Sequence, residues 1–317
     1  MLRKTAVGVL AYNEESHIEN VINSLLELEE QILIVDDCST DNTEQILNQF
    51  NAFKNIKIIR NKKNLGAGSS TKILMDTAGQ LGFTFLVKVD GDDQFEVNDV
   101  RRIIELHKNK NYQYIKSNRY WDGGIVGRMP KIRFFGNLIA TFLMQLASGS
   151  RKLFDPLNGL FGITLDVNES LNDKSYPKRY GYPYFFTLLA SLHRLRCYQI
   201  NNVVNYKNQS SNLNSIKVFF TILKLTLIFY IRKLKLKKRI SSLQKSALYD
   251  ILFLITLVTL IFLIFTLIYI AFYASTSIIS TSNLLILIIT TLTSSLIFFN
   301  LSFKEEAKFR DESVDID

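Results

Sequence analysis

The chain has 317 residues, a formal net charge of +9 and an apolar fraction of 47%, enough for one substantial catalytic domain and an appendage. Seven basic residues (Arg232, Lys233, Lys235, Lys237, Lys238, Arg239 and Lys245) crowd one stretch without an acidic neighbour, and without them the net charge falls to +2. The remainder therefore lacks the surplus that a polyphosphate backbone demands, which excludes a nucleic-acid partner from the expected functions.

Residues 1–4 lead directly into a strand pattern with no signal peptide, so the first domain is expected to stay where it is made, in the cytoplasm. Short apolar runs at 5–10, 31–35, 56–59, 83–89 and 112–115 read as buried strands. Helical patterns fill the gaps at 15–28, 41–50, 67–81 and 97–108, with Asp41 and Ser69 as N-caps. This alternation predicts an α/β fold built on a doubly wound, mostly parallel sheet. Ligands of such sheets bind beyond the carboxyl ends of the strands.

Residues 131–148 carry apolar side chains at most positions after Lys131 and Arg133, a pattern that fits a core helix or an interfacial helix resting on lipid. Residues 216–240 read as an amphipathic helix in the headgroup plane, because the apolar part carries Lys224 and is too short to span. From Ile251 to Phe303 no residue is charged. This predicts two transmembrane helices, 248–273 and 284–303, separated by a Ser/Thr-rich break at 274–283. Basic flanks on both sides place both ends in the cytoplasm. The expected division is a catalytic domain at 1–210, a basic juxtamembrane region at 211–247, the paired spans at 248–303 and a cytoplasmic tail at 304–317. The spans also offer a surface on which a homo-oligomer can form.

The polar residues that stand out fall at strand ends. The first strand runs into Ala11-Tyr12-Asn13-Glu14-Glu15, the second into Asp36-Asp37-Cys38-Ser39-Thr40-Asp41, and the fourth into Asp90-Gly91-Asp92-Asp93-Gln94. Alternation lets Asp90 and Asp92 face the same way, with Gly91 leaving room between them. Two carboxylates and the Gln94 carbonyl make a partial shell for Mg2+ or Mn2+, completed by substrate phosphates and water. Either Asp36 or Asp37 is suited to a base N–H or ribose hydroxyls, whereas Asp41 reads as a helix cap. Gly66 and Gly68 make a tight turn into a helix whose N-terminus favours an anion, without the ending of a phosphate-binding P-loop. Cys38 and Cys197 form no disulfide framework, and His17, His107 and His193 share no ligand spacing.

Together these motifs resemble the family 2 glycosyltransferases of the GT-A fold, over about residues 5–205. The nearest likeness is to the branch of dolichyl-phosphate mannose synthases and bacterial polyprenyl-phosphate glycosyltransferases. Ser117-Asn118-Arg119-Tyr120 with Gly123-Gly124, and Asp155-Pro156-Leu157-Asn158-Gly159, resemble two further motifs of that branch. The resemblance implies that Ala11, Tyr12, Glu14, Asp36, Asp37 and Asp90 bind the nucleotide of a nucleotide-diphosphate sugar. It implies metal binding by Asp90, Asp92 and Gln94. It also implies that Arg119 and Arg133 hold a polyprenyl phosphate lipid, and Arg128 is a third candidate. A guanidinium suits that task, with a planar donor fork and a permanent charge.

Residues 181–187 contain no carboxylate, although relatives that glycosylate hydroxyl groups place a general base in the matching stretch. A phosphate acceptor is already anionic and needs none, so a phosphate acceptor is expected. Asp155 is the remaining carboxylate for a catalytic role near the acceptor, or else it orients the turn before Pro156. The competing readings are a transferase acting on a hydroxyl of a cell-envelope glycan and an inactive membrane scaffold.

Overall fold

A computed structural model describes residues 4–120, 131–150, 153–202, 215–273, 278–307 and 314–316. The chain divides into two compact units, one of residues 1–229 with 313–317 and one of residues 230–312.

The first unit is built on an eight-stranded sheet. Its strands are β1 (Thr5–Ala11), β2 (Gln31–Asp36), β3 (Ile56–Arg60), β4 (Phe85–Asp90), β5 (Tyr114–Asn118), β6 (Phe161–Thr164), β7 (Cys197–Asn201) and β8 (Val314–Ile316). They lie in the order β3-β2-β1-β4-β6-β5-β7-β8. All pairings are parallel except those of β6, which runs antiparallel to both β4 and β5. Every residue of β1 is buried, as a central strand covered on both faces requires.

The helices between these strands are α1 (Ile18–Leu26), α2 (Thr43–Asn48), α3 (Ala67–Gln80), α4 (Val97–Lys110), α5 (Lys131–Ser148) and α6 (Tyr182–Leu192). In α1, Ile18, Val21, Ile22 and Leu25 recur at helical spacing and are buried in the main core with Val7, Val9, Ile32, Val87 and Ile103. Asn111 ends α4 in the left-handed conformation, with φ 60°. The first four expected helices are present, α1, α2 and α3 with shorter ends and α4 running on to Lys110. The sequence pattern did not mark β6, β7 or β8, and β8 lies within the stretch expected to be a tail.

Two capping expectations are corrected. α3 begins at Ala67 behind Gly66, so Ser69 lies inside its first turn. α2 begins at Thr43 behind Asn42, and Asp41 supports that turn by accepting the Thr43 N–H at 3.0 Å.

On α5 one face packs inward through Asn137, Ala140, Met144 and Ala147. The opposite stripe of Phe135, Leu138, Ile139 and Phe142 is 47–60% exposed. The helix thus has the packed face of a core element and the exposed apolar face of an interfacial one.

α7 (Ser215–Arg239) starts in the first unit and ends in the second, which also contains α8 (Gln244–Tyr273) and α9 (Ile278–Ala307). Segments Ser241–Ile268 and Asn283–Ala307 are long and apolar enough to cross a membrane. Within this unit Lys237 is buried, and its Nζ donates to Asp250 Oδ2 and Glu306 Oε2, both at 2.7 Å, and to Ser246 Oγ at 2.9 Å.

Candidate active site

Parallel register gathers the polar strand ends on one rim. Ala11 stands opposite Asp36, and Leu10 opposite Asp90. The pairing continues past the strands: Asp37 N–H donates to the Ala11 carbonyl at 2.9 Å, and Gly91 N–H to the Leu10 carbonyl at 2.8 Å. Side chains lock the first two loops together. Thr40 N–H donates to Asn13 Oδ1 at 2.8 Å, and Glu14 N–H to Thr43 Oγ1 at 2.8 Å. Tyr12 is left exposed on the rim.

Asp36 and Asp37 are both buried and differ in what they hold. Asp36 accepts from Ser39 N–H at 2.9 Å, Ser39 Oγ at 2.6 Å and Arg60 Nη1 at 2.8 Å, which fixes the turn after β2. Asp37 accepts from Asn61 Nδ2 at 2.7 Å, Leu65 N–H at 2.8 Å and Gly66 N–H at 2.7 Å, which fixes the loop after β3. Both carboxylates therefore shape the walls of the rim.

The anion expected at the N-terminus of α3 is not accommodated there. Gly68 N–H donates to the Arg179 carbonyl at 3.1 Å, and Ser69 N–H to the Lys178 carbonyl at 2.8 Å, so chain carbonyls already occupy these donors. The glycines serve close packing instead. A Cβ on Gly68 would stand 1.9 Å from the Pro177 carbonyl oxygen, and one on Gly66 would stand 2.4 Å from Arg179 Cγ.

At the end of β4 the acidic residues crowd. Gly91 lies against Glu14, whose Cγ would be 3.6 Å from an added Cβ. Burial, and then the charges of Asp92, Asp90 and Asp41, push the Glu14 carboxyl up to about 8. Burial, and then Asp90, push Asp92 up to about 7. Asp92 Oδ1 accepts the Gln94 N–H at 3.3 Å. A divalent cation fits this set, since it relieves the mutual repulsion of carboxylates and prefers hard oxygen donors. Among the described residues, no three acidic, histidine or cysteine side chains close into a ready ligand set. A cation here would draw its other oxygens from a bound diphosphate and water.

Behind Asp90 stand Lys88, which sequence reasoning missed, and Gly159, which it named only within a motif. Lys88 is fully buried and donates to Asp90 Oδ1 at 2.5 Å. Gly159 brings its backbone so close that a Cβ would meet Asp90 Oδ2 at 2.2 Å. The signal for Lys88 was its spacing, two residues before Asp90 on the same strand face.

Asp155, with φ 50°, is buried in the segment before β6, against Arg119 just past the end of β5. Its Oδ2 accepts from Arg119 N–H at 3.1 Å and Nε at 2.7 Å; its Oδ1 accepts from Arg119 Nη2 at 2.7 Å and Asn137 Nδ2 at 2.6 Å. Burial alone would raise its pKa, but the Arg119 guanidinium, Lys116 and Asn137 hold it below the ordinary carboxylate range. This carboxylate therefore holds Arg119 and ties α5 to the sheet. Asn137 Nδ2 also donates to the Tyr120 hydroxyl. Arg133 lies half-buried in the first turn of α5, and Arg128 lies outside the described residues.

In a parallel-dominant α/β sheet the rim where these acidic strand ends meet is where a ligand crevice lies. The profile of glycosyl transferase family 2 matches residues 6–171, and the chain belongs to that family. It is 28% identical over 184 residues to the UDP-N-acetylglucosamine–dolichyl-phosphate N-acetylglucosaminyltransferase of Methanococcus voltae, covering 54% of this chain and 73% of that one. It is 29% identical over 173 residues to the dolichol-phosphate mannosyltransferase of Pyrococcus furiosus, covering 53% and 48%. Among solved structures, glucosyl-3-phosphoglycerate synthase of Mycobacterium tuberculosis in complex with Mn2+, uridine-diphosphate and phosphoglyceric acid superposes with a TM-score of 0.53 at 20% identity. That match covers 71% of this chain and 78% of that chain, and the likeness carries the fold.

Proposed function

We propose that this chain transfers a sugar from a UDP- or GDP-linked donor to polyprenyl phosphate at the cytoplasmic face of a membrane. The observation that carries the reading is the convergence of Glu14, Asp90 and Asp92 on one rim of the sheet, in a chain whose relatives include two enzymes named for dolichyl or dolichol phosphate.

In this reading Ala11, Tyr12 and Glu14, with the loops that Asp36 and Asp37 hold, seat the nucleotide. Asp90, Asp92 and Gln94 hold Mg2+ or Mn2+. When bound, that cation offsets the negative charge developing on the departing diphosphate. Arg119, oriented by Asp155, and Arg133 hold the acceptor phosphate, with Arg128 as a further candidate. An acceptor oxygen attacks the anomeric carbon in line and inverts it, and positioning supplies most of the rate. The start of α6 supports an acceptor that needs no base: Tyr182 to Thr187 are buried and include no carboxylate. The exposed stripe of α5 and the two long apolar helices support a lipid-bound acceptor.

A purified enzyme, a panel of UDP- and GDP-sugars and polyprenyl phosphate test the reading. Asp92→Asn is expected to remain folded and to lose transfer by more than about 10²-fold. Full activity of that variant would remove the metal assignment. Transfer to a lipid-linked saccharide and none to polyprenyl phosphate would assign a hydroxyl acceptor instead.

A further inference from the structure

The reaction proposed above leaves Lys88 without a task. Its ammonium is fully buried, lies 5.1 Å from the centroid of the Tyr182 ring and donates to Asp90 Oδ1. The other oxygen of Asp90 rests against the backbone of Gly159, where a Cβ would come within 2.2 Å. The carboxylate is thus pinned on both sides. Lys116, also fully buried, shares the face: both lysines pair in register with Phe161 of β6. Its Nζ donates to the Asn158 carbonyl at 2.9 Å. A buried ammonium is costly unless matched, and Asp90 matches Lys88.

We propose that Lys88 is a positioning residue, the resident counter-charge of Asp90, which makes the site bind a divalent cation weakly unless a nucleotide diphosphate arrives with it. The inference rests on reading the strand ends as a metal and nucleotide site. A bare dication approaching Asp90 and Asp92 meets the repulsion of the buried ammonium that already holds Asp90 Oδ1. Among the described residues no three acidic, histidine or cysteine side chains are close enough together to hold it on their own. A diphosphate reverses both conditions, because it brings oxygen donors and negative charge that the dication and Lys88 attract together. Metal and nucleotide then enter and leave as one unit.

Electron paramagnetic resonance of Mn2+, titrated into the full-length protein in detergent, tests this without turnover. In the wild type, Mn2+ binding is expected to be weak alone and to tighten when UDP or GDP is added. Lys88→Met is expected to bind bare Mn2+ about tenfold more tightly, with most of the nucleotide enhancement gone. Lys88→Arg keeps the charge and is expected to restore wild-type behaviour. A folded Lys88→Met protein with unchanged or weaker affinity for bare Mn2+ would overturn the inference. So would a wild type that binds Mn2+ equally with and without nucleotide, a result that needs no variant to fold. Either outcome leaves the transferase reading standing. Mn2+ that binds under neither condition would remove the proposed metal site and this inference with it.

Discussion

A methyl group added at Gly159 would stand 2.2 Å from Asp90 Oδ2 and 3.2 Å from Lys88 Nζ. Asp90 would have to shift to make room, against the hold of the lysine on its other oxygen. Gly159→Ala is therefore expected to lower kcat/KM by about 10²-fold through a displaced carboxylate, the loss that a misplacement near 1 Å can cause. Donor kinetics with saturating acceptor check this, and an unaltered kcat/KM would show that Asp90 tolerates the shift. At this scale the sequence was legible where chemistry is local. Lys88 and Asp90 alternate on β4, so their common face follows from backbone geometry alone, whereas Asp92 lies in the turn past the end of that strand. Asp155 was not legible in the same way. Its partners Arg119 and Asn137 lie 36 and 18 residues away, and only folding turns a carboxylate with two candidate roles into an orienting group.

Among the elements, α5 has the clearest consequence. Phe135, Leu138, Ile139 and Phe142 form a continuous apolar stripe at helical spacing, and Asn137 on the packed face reaches Asp155. A helix with these two faces brings apolar surface together with the end of the site proposed to take the acceptor. Replacing Phe135 and Phe142 with serine is expected to reduce transfer to vesicle-embedded polyprenyl phosphate by about tenfold, through weaker insertion of apolar area. Transfer to a short-chain, water-soluble phosphate is expected to persist. Comparing the two acceptors checks it, and equal losses on both would count against an interfacial role. The extent of α5 was readable from composition, but its dual character was not, because the pattern lacks a polar face. The N-terminus of α3 was misread for a related reason. Its amides are taken by carbonyls of residues 109 and more positions away, a partnership that no local motif announces.

In the whole molecule, the second unit is held by charge as well as by apolar packing. Lys237 of α7 reaches Asp250 of α8 and Glu306 of α9, all of them largely or fully buried. Lys237→Met leaves two carboxylates without that cation and is expected to cost about 3–5 kcal/mol of stability in this unit. Thermal unfolding in detergent measures it, and an unchanged midpoint would mean that Lys233, 3.6 Å from Asp250, takes over. The sequence displayed the charge-free block plainly, while the ionic junction was hidden because its members are scattered over about seventy positions of chain.

The last strand carries a consequence for how the protein is made. Val314–Ile316 of β8 pairs with Cys197–Gln199 of β7, and residues 230–312 between them belong to the other unit. A ribosome must deliver both long apolar helices before it delivers β8. The outer edge of the sheet can close only after that delivery, so the final step of assembling the catalytic unit waits on the fate of the hydrophobic hairpin.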